Sequence, residues 1–289
     1  MSWEITAAGT VHLDDIVTPH GRRPCQIGGS SLYFALAAAP HARVRVSAIV
    51  GEDAAGELRR SLAGLRVDLS GVEVSPAPTF RWHAAHDFER WVAVTVAEEP
   101  GCEPEWRPRL TPEAGRAPVL FLGSMRPSLQ RDILAQSSAR LIAVDSMACF
   151  TGPERDAVME VVSGCDILFL NRLELAGLVP AAPGWETAAR GLLGRGRLRA
   201  VVVKGGPLGA ALVAASGTTE LPAAPVDQVI DPTGAGDAVA GGFLGLCAAA
   251  ERDDQGFFGA ALEEGLSRAA AAVASFGIAG LRRLAVGAT

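Results

Sequence analysis

The stretch DPTGAGDAVAGGFLG, residues 231–245, places two carboxylates around a run of small residues and then becomes apolar. With Val229 and Ile230 before it, this pattern predicts a strand, a glycine loop and a helix that starts at about Gly236. The free N–H groups at such a helix start can bind an anion, and glycine lets a phosphate approach the backbone closely. Asp237 beside that loop would repel phosphate unless it accepts a proton from an attacking hydroxyl. The alternative is an Asp that caps the helix and has no chemical role.

The rest of the chain alternates short apolar runs with helix-like segments. The predicted strands are 44–50, 119–122, 141–144, 167–170 and 200–203. The predicted helices are 30–39, 54–63, 128–136, 153–162 and 187–193, followed by a helical stretch from Asp237 that breaks near Gly256 and resumes over 260–276. Strands that alternate with helices form βαβ units, so we predict an α/β core with a mainly parallel sheet covered on both faces.

Residues 79–99, TFRWHAAHDFERWVAVTVAEE, depart from this alternation. They are rich in aromatic and β-branched residues and predict a pair of antiparallel strands, with 11–17 as a candidate third strand. His83 and His86 have HxxH spacing, but residues i and i+3 of a strand point to opposite faces, so we do not expect them to share a metal ion. We find no linker and no internal repeat, and therefore predict one domain over residues 1–289.

The composition predicts a compact globular protein without nucleic-acid or membrane partners. The chain has 289 residues, 49% of them hydrophobic, and a net charge of −6, whereas a nucleic-acid surface needs clustered Lys and Arg. The N-terminal stretch carries Glu4, Asp14 and Asp15 and does not resemble a signal peptide, and no long apolar stretch suggests a membrane span. The five cysteines contain no CxxC pair, which is typical of reduced thiols, so we expect a cytoplasmic protein.

Several common catalytic motifs are absent from the sequence. It contains no Walker A motif, GxGxxG, HExxH or GxSxG. An oxidoreductase that uses a dinucleotide cofactor is therefore an unsupported alternative, because its binding fingerprint is missing.

The chain contains, in this order, GTVHLDD with QIGGSSLYFALAAA, NRLE at 171–174, VVVKGGPLG and DPTGAGDAVAGGFLG. These segments resemble, in the same order, the motifs of the ribokinase-like, or PfkB, family of carbohydrate and nucleoside kinases. The resemblance extends from Gly9 to Phe276. It implies a three-layer α/β/α fold with a small β-sheet lid, whose strands would lie within 11–27 and 79–99. It also implies ATP-dependent transfer of the γ-phosphoryl group to a hydroxymethyl group of a sugar or nucleoside.

The resemblance implies a catalytic role for the glycine loop. Asp237 would be the base that takes the hydroxyl proton. The transferred phosphoryl group would lie in an anion hole formed by Gly234, Ala235 and Gly236, which stabilises the charge that develops during transfer. Asp231 would either help hold a monovalent cation such as K⁺ or fix the loop.

The nucleotide is expected to bind through two other segments. Asn171 and Glu174 would order Mg²⁺ and its waters near the phosphates, since Mg²⁺ prefers oxygen ligands and retains water. The alternative places this pair on a surface helix with no metal role. Lys204, Gly206 and Gly209 would flank the nucleotide, although the turn needs glycine whether or not ATP binds.

The small-molecule acceptor is expected to bind near the N-terminus. Asp14 would bind its hydroxyls, while Gly28 and Gly29 would let the backbone approach the ring. The family often has Asn where this chain has Tyr33, and Lys or another polar residue near Ser30. These departures leave the identity of the acceptor open without affecting the phosphoryl-transfer end.

The lid bears on the acceptor in one of two ways. Either it closes over the substrate, so that Arg81 reaches it, or it packs against a second lid in a homodimer. Aromatic side chains suit a flat base, and the segment after the glycine pair and the lid supply several of them, so we favour a nucleoside or another bulky ribosyl compound over a simple hexose. These are Tyr33, Phe34, Phe80, Trp82 and Trp91. A non-catalytic sugar- or nucleotide-sensing protein on the same fold is the remaining alternative, and the intact glycine loop with Asp237 argues against it.

Overall fold

The structure of this protein is a computed structural model that describes residues 4–287. The predicted domain of 1–289 therefore has 1–3 and 288–289 outside the described part. The strands are β1 (Ile5–Ala8), β2 (His12–Thr18), β3 (Gly21–Gly28), β4 (Val44–Gly51), β5 (Val67–Ser75), β6 (Arg81–Asp87), β7 (Val92–Glu99), β8 (Val119–Leu122), β9 (Leu141–Asp145), β10 (Ile167–Asn171), β11 (Ala200–Lys204), β12 (Ala210–Ala214) and β13 (Gly217–Leu221). The helices are α1 (Ser30–Ala38), α2 (Glu52–Leu62), α3 (Pro112–Gly115), α4 (Pro127–Leu134), α5 (Ala148–Thr151), α6 (Arg155–Ser163), α7 (Arg172–Leu178), α8 (Trp185–Leu192), α9 (Ala235–Ala250), α10 (Phe258–Val273) and α11 (Ala279–Gly287). Within 4–287, no helix combines the length and apolarity that crossing a membrane requires.

Nine strands form the central sheet, in the order β13-β12-β11-β10-β9-β8-β1-β4-β5. The strands from β11 to β5 in that order pair in parallel, and β12 and β13 add two antiparallel strands at one edge. The chain winds outward in both directions from β1, which lies between β4 and β8. In an open parallel sheet, ligands bind beyond the carboxyl ends of the strands, next to such a change of direction. The topology therefore indicates where a site is expected.

Helices cover both faces of this sheet, as the alternation of strands and helices predicts. Along β8, Val119 and Phe121 belong to one core, together with buried residues of α1, α9 and α10. Leu120 and Leu122 belong to a second core, with buried residues of α4, α6 and α8. One strand contributes to both cores because neighbouring side chains of a strand point to opposite faces. The predicted three-layer α/β/α architecture is confirmed.

A second sheet of four strands, in the order β3-β2-β6-β7, forms the lid. β2 and β6 pair in parallel, and each outer strand is antiparallel to its neighbour. The antiparallel pair predicted within 79–99 is confirmed as β6 and β7. The lid strands expected within 11–27 are β2 and β3, the second of which continues to Gly28. Most side chains of β3 and β7 are exposed, so the lid projects from the core.

One local prediction before α9 is wrong. Val229 and Ile230 do not form a strand, since this segment is irregular and the Ile230 N–H donates to the carbonyl of Val273 at the end of α10 (2.8 Å). A pair of apolar residues does not distinguish a strand from a packed loop. The helix itself begins slightly earlier than predicted, at Ala235, because Gly234 adopts the left-handed conformation (φ 75°) at the end of the loop.

Candidate active site

Polar side chains end three neighbouring parallel strands of the central sheet. Asp145 is the last residue of β9, Asn171 of β10 and Lys204 of β11. The glycine loop meets the same edge, because a Cβ added to Gly236 would lie 3.0 Å from the Lys204 Nζ. The carboxyl ends of the strands thus bring segments that are distant in sequence into one crevice. The sequence analysis did not identify Asp145, which lies just beyond a predicted strand.

The glycine loop before α9 has the geometry of an anion site. Gly234 is the N-cap residue, and no side chain caps this 16-residue helix. N–H groups in the first turn of a helix lack intrahelical partners and lie at the positive end of its dipole. Of the three predicted donors, Ala235 donates its N–H to the Pro232 carbonyl (3.2 Å). A Cβ at Gly234 would overlap the ring of Tyr33, so the loop requires glycine there.

Asp237, in the first turn of α9, has an unsatisfied carboxylate oxygen. Its Oδ1 is buried and has no hydrogen-bond partner among the described residues. Burial and the charge of Asp145 raise the pKa of Asp237, Lys204 and His12 oppose the increase, and the net pKa is about 7. A general base works best when its pKa lies close to the ambient pH. The environment of Asp237 is therefore compatible with the predicted role of proton acceptor.

Lys204 is held beside the start of α9 by a buried ion pair. Its Nζ donates to both carboxylate oxygens of Asp145, at 2.8 and 2.6 Å, and the two side chains are 16% and 2% exposed. Burial lowers the pKa of Lys204, but the charges of Asp145 and Glu174 outweigh that effect and raise the pKa above its ordinary value. A fixed positive charge therefore lies next to Gly236 of the predicted anion hole.

Asn171 and Glu174 form a capping box at the start of α7. Glu174 accepts the Asn171 N–H with Oε2 and the Asn171 side-chain amide with Oε1, both at 2.7 Å. In return, Asn171 Oδ1 accepts the Glu174 N–H at 2.9 Å. Glu174 is buried, and burial raises its pKa to about 7, with Lys204 lowering the pKa and Asp145 raising it. Glu174 therefore lies in the crevice and not on an exposed helix face.

The turn after β11 requires glycine for backbone reasons. Gly206 and Gly209 have φ angles of 59° and 92°, in the left-handed region. A Cβ at Gly209 would also overlap the carbonyl of Leu221. Their predicted place beside the nucleotide is therefore not needed to explain why these residues are glycine.

Asp14 is the counterpart of Asp237 on the lid side of the crevice. It is 2% exposed, and its Oδ1 has no hydrogen-bond partner in the described part of the chain. Burial raises the pKa of Asp14 to about 6; His12 lowers it, and Asp231 raises it. A Cβ at Gly28 would overlap Asp14 Oδ2, and Gly29 has a φ of 99°, so packing accounts for both glycines.

His12 lies between the two sides of the crevice and was not identified from the sequence. Its Nε2 is 3.2 Å from Glu103 Oε1, and its Nδ1 is 3.8 Å from Asp14 Oδ1. Its ring is 4.5 Å from that of Phe80, between centroids. Burial lowers the pKa of His12, but the hydrogen bond and charge of Glu103, with the charges of Asp14 and Asp237, raise it overall. The sequence HLD could have indicated this contact, because His12 and Asp14 are residues i and i+2 of a strand and therefore share a face.

Three other predicted acceptor residues have partners within the protein. Tyr33 is 2% exposed and lies beneath the glycine loop. Ser30 is buried, and its Oγ accepts the Thr10 N–H (3.1 Å) where β1 leads into the lid. Arg81 donates from the lid to Cys25 Sγ (3.4 Å). Tyr33 and Ser30 thus support the walls of the crevice.

Asp231 holds the glycine loop in position. It is 1% exposed, its Oδ1 accepts the Thr233 N–H and its Oδ2 accepts the Gly277 N–H, both at 3.0 Å. Asp231 and Glu174, the two predicted metal residues, therefore belong to separate hydrogen-bond networks. Over residues 4–287, no group of three or more His, Cys, Asp or Glu side chains is arranged to hold a metal ion.

Comparisons with protein families, with known proteins and with solved structures all give matches. The model of the pfkB family carbohydrate kinases matches residues 120–279. A cytidine kinase from Thermococcus kodakarensis is 30% identical over 251 residues, which cover 83% of this chain and 87% of that protein. Two solved structures share the fold and cover nearly all of both chains. They are aminoimidazole riboside kinase from Salmonella enterica with aminoimidazole riboside and an ATP analogue (TM-score 0.76, 18% identity, 99% of each chain) and a fructokinase double mutant from Vibrio cholerae O395 with fructose, ADP and a potassium ion (TM-score 0.78, 20% identity, 97% and 96%).

Proposed function

This chain belongs to the pfkB family of carbohydrate kinases, and we propose that it is an ATP-dependent nucleoside kinase. The reaction would transfer the γ-phosphoryl group of ATP to the hydroxymethyl group of a nucleoside, with cytidine as the first candidate. The observation that carries the proposal is a pair of buried, unpartnered carboxylate oxygens, Asp14 Oδ1 and Asp237 Oδ1, on two sides of one crevice. Both carboxylates act electrostatically on His12 and on Tyr33, which supports their proximity.

Each carboxylate has a task that the other cannot perform. Asp237 Oδ1 would accept the proton of the attacking hydroxyl, because it lies at the anion hole and its pKa is near neutrality. Asp14 Oδ1 would accept a hydrogen bond from another hydroxyl of the acceptor and so fix the orientation of the sugar. This division explains why the protein keeps two acidic side chains close to a site for an anion.

The phosphoryl group would be stabilised by charges that are already fixed. The start of α9 supplies backbone N–H groups, and Lys204 supplies an ammonium that Asp145 holds in place. Donors that are oriented before the reaction stabilise developing charge without reorganising. Both the loop and the ion pair therefore support phosphoryl transfer.

The residues in the crevice fit Mg²⁺ bound with the nucleotide. Glu174 is a buried carboxylate with a raised pKa, and a nearby cation would offset the cost of its burial. Mg²⁺ keeps several waters and takes few protein ligands, so Glu174 would act on it through water. When bound, the ion would neutralise charge on the phosphates.

A monovalent cation remains a second proposed cofactor. Both oxygens of Asp231 accept backbone N–H groups, which supports its role in fixing the loop. A carboxylate oxygen can accept more than one contact, so these bonds also leave room for K⁺. A K⁺ titration of the activity distinguishes the two roles.

Two observations favour a nucleoside over a free sugar. The relative that covers most of this chain at 30% identity is a cytidine kinase. In the crevice, Phe80 and His12 place two flat rings next to Asp14, and such surfaces suit a base. The acceptor that combines a flat base with sugar hydroxyls is a nucleoside.

The proposed setting is the cytoplasm, with association through the lid. All five cysteines are free, in keeping with a reducing compartment.

Strand β7 is at an edge of the lid sheet and exposes Val94 and Val96, which are 51% and 70% exposed. An exposed apolar edge strand is suited to pairing with another chain, so we propose a homodimer formed by two lids.

An ATP-consumption assay over a panel of acceptors tests the proposed function. The panel contains cytidine, uridine, adenosine, inosine, ribose and fructose, each with Mg²⁺ and ATP. We expect ATP consumption with at least one nucleoside, cytidine first, and none with the free sugars. The Asp237→Asn variant, purified in the same way, controls for contaminating kinases. Turnover of ribose or fructose with no turnover of any nucleoside would contradict the nucleoside proposal.

A further inference from the structure

A lid histidine contacts the loop that forms the anion hole. His86 lies on β6, and its side chain is 7% exposed. Its Nε2 is 2.8 Å from Thr233 Oγ1 and 3.7 Å from Asp231 Oδ1. The lid and the loop belong to different parts of the fold, so this contact joins two units that the chain connects only distantly.

The contact matters because Thr233 lies in the loop that forms the proposed anion hole. Thr233 directly precedes Gly234, the left-handed residue that starts α9. On its other side the loop is held by Asp231, which accepts the N–H groups of Thr233 and Gly277. The core therefore fixes the loop through a backbone contact, and the lid fixes it through a side-chain contact.

The ring of His86 is suited to donate this hydrogen bond. Its Nε2 is within hydrogen-bond distance of Thr233 Oγ1, and the carboxylate of Asp231 lies nearby. A neutral imidazole has one N–H. Placing it on Nε2 directs it towards the Thr233 hydroxyl and the nearby carboxylate, whereas a lone pair there would face the negative charge of Asp231.

His83, on the same strand, makes no comparable contact. Its Nδ1 is 3.4 Å from Asp15 and its Nε2 is 3.1 Å from Glu99, and both partners are lid residues. Its side chain is 26% exposed. The two histidines of the HxxH pair thus face different surroundings, and His83 provides a matched control for His86.

We propose that His86 is a positioning residue, which aligns the anion-hole loop when the lid is closed over the acceptor. The catalytic role of His86 rests on the proposed function, but the contact between His86 and Thr233 does not. An open lid would withdraw His86 from Thr233 and leave the loop held from the core alone. Alignment of the anion hole would then follow lid closure, which favours transfer to a bound acceptor over transfer to water.

Hydrogen exchange of the backbone amides of residues 233–236 tests the contact in the protein without ligands. We expect faster exchange at these amides in His86→Ala than in the unchanged protein. His83→Ala should exchange as the unchanged protein does. His86→Gln should restore most of the protection, because its amide can donate from nearly the same place as Nε2. In a Thr233→Val background, His86→Ala should add no further increase.

Kinetics of the same variants test the catalytic meaning. One neutral hydrogen bond corresponds to roughly a three- to tenfold change, so kcat in His86→Ala should fall by about that factor, with His86→Gln recovering part of the loss. The acceptor KM should change less than kcat.

The two experiments separate the possible failures. Unchanged exchange in both His86→Ala and Thr233→Val would overturn the inference, whatever the activity. Altered exchange with an unchanged kcat would overturn the positioning role. Altered exchange in a protein that phosphorylates no acceptor would overturn the proposed function and leave the lid-to-loop contact established.

Discussion

The pKa of Asp237 lies near neutral pH, where a pH–rate profile can test its proposed role as a base. Burial and the charge of Asp145 raise its pKa and Lys204 lowers it, with a net pKa of about 7. A base must be ionised to accept a proton, so kcat/KM should fall as the pH is lowered through this pKa. Asp145→Asn removes a neighbouring negative charge and should move the acidic limb to lower pH. The measurement is a pH–rate profile of both proteins, and the same limb in both would contradict the assignment.

Gly234 and Gly236 differ in what a side chain would meet, although the sequence analysis treated them alike. At Gly234 the φ of 75° and the ring of Tyr33 both exclude a Cβ. At Gly236 a Cβ would lie 3.0 Å from the end of the flexible Lys204 side chain. The fold therefore requires glycine at position 234, whereas a side chain at position 236 would mainly disturb the Lys204 ammonium of the proposed site.

The two alanine variants should therefore behave differently. Gly234→Ala should lower the midpoint of thermal unfolding and abolish turnover. Gly236→Ala should fold almost normally and lose turnover, because it displaces the Lys204 ammonium. Thermal unfolding followed by a kinase assay checks both. A Gly236→Ala protein with full activity would count against an anion hole at this loop.

At the scale of elements, Glu174 both caps the start of α7 and is the residue that we propose acts on Mg²⁺. Glu174→Gln keeps the shape but replaces one acceptor oxygen of the capping box with a donor, at a cost of about 1 kcal/mol. It should also raise the Mg²⁺ concentration needed for half-maximal activity and leave the acceptor KM nearly unchanged. The measurement is a magnesium titration of turnover.

Glu160→Gln is the control for this titration. Glu160 is an exposed carboxylate on α6 that pairs with Arg131, away from the crevice. If both variants show the same magnesium dependence as the unchanged protein, Glu174 has only its capping role.

The elements that the sequence predicted are the ones whose apolar pattern reflects burial. The runs that became β8 to β11 are buried on both faces of the sheet, and such strands read as continuous apolar segments. The apolar pattern did not predict β5, an edge strand with polar, partly exposed residues, or the short Ala-rich strands β1 and β12, although both of these are buried. Strand β3 is largely exposed and was expected only from the family resemblance. The segment at Val229 was mistaken for a strand because its apolar residues pack without pairing.

At the scale of the molecule, the unpredicted site residues owe their role to topology. Asp145 ends a strand that was correctly located from the sequence, yet its partner Lys204 is 59 residues away and meets it only through the parallel sheet. Glu103 reaches His12 over 91 residues, and His86 reaches Thr233 over 147. Motifs predicted the residues of the proposed phosphate site because those residues are close together in sequence. The residue pairs that orient them are far apart in sequence, so no motif spacing predicts these pairs.

The proposed association through the lid can be tested on the whole molecule. A charged residue in place of Val96, which is 70% exposed on β7, should prevent pairing of two lid edges. We expect the unchanged protein to sediment as a dimer and Val96→Lys as a monomer. Leu284→Lys, on α11 and 38% exposed, is the control and should remain a dimer. An unchanged protein that sediments as a monomer at micromolar concentration would contradict the proposed association.

The central claim is that Asp237, beside the glycine loop, accepts the proton of a hydroxyl that attacks the γ-phosphoryl group. Transfer of label from γ-labelled ATP to cytidine, or to the best acceptor of the panel, tests it when measured for the unchanged protein and for Asp237→Asn. The Asn side chain keeps the shape of Asp237, so ATP affinity should change little. Loss of a general base should lower the rate of transfer by about 10²–10⁴-fold. Near-normal transfer by a folded, ATP-binding Asp237→Asn protein would contradict the account.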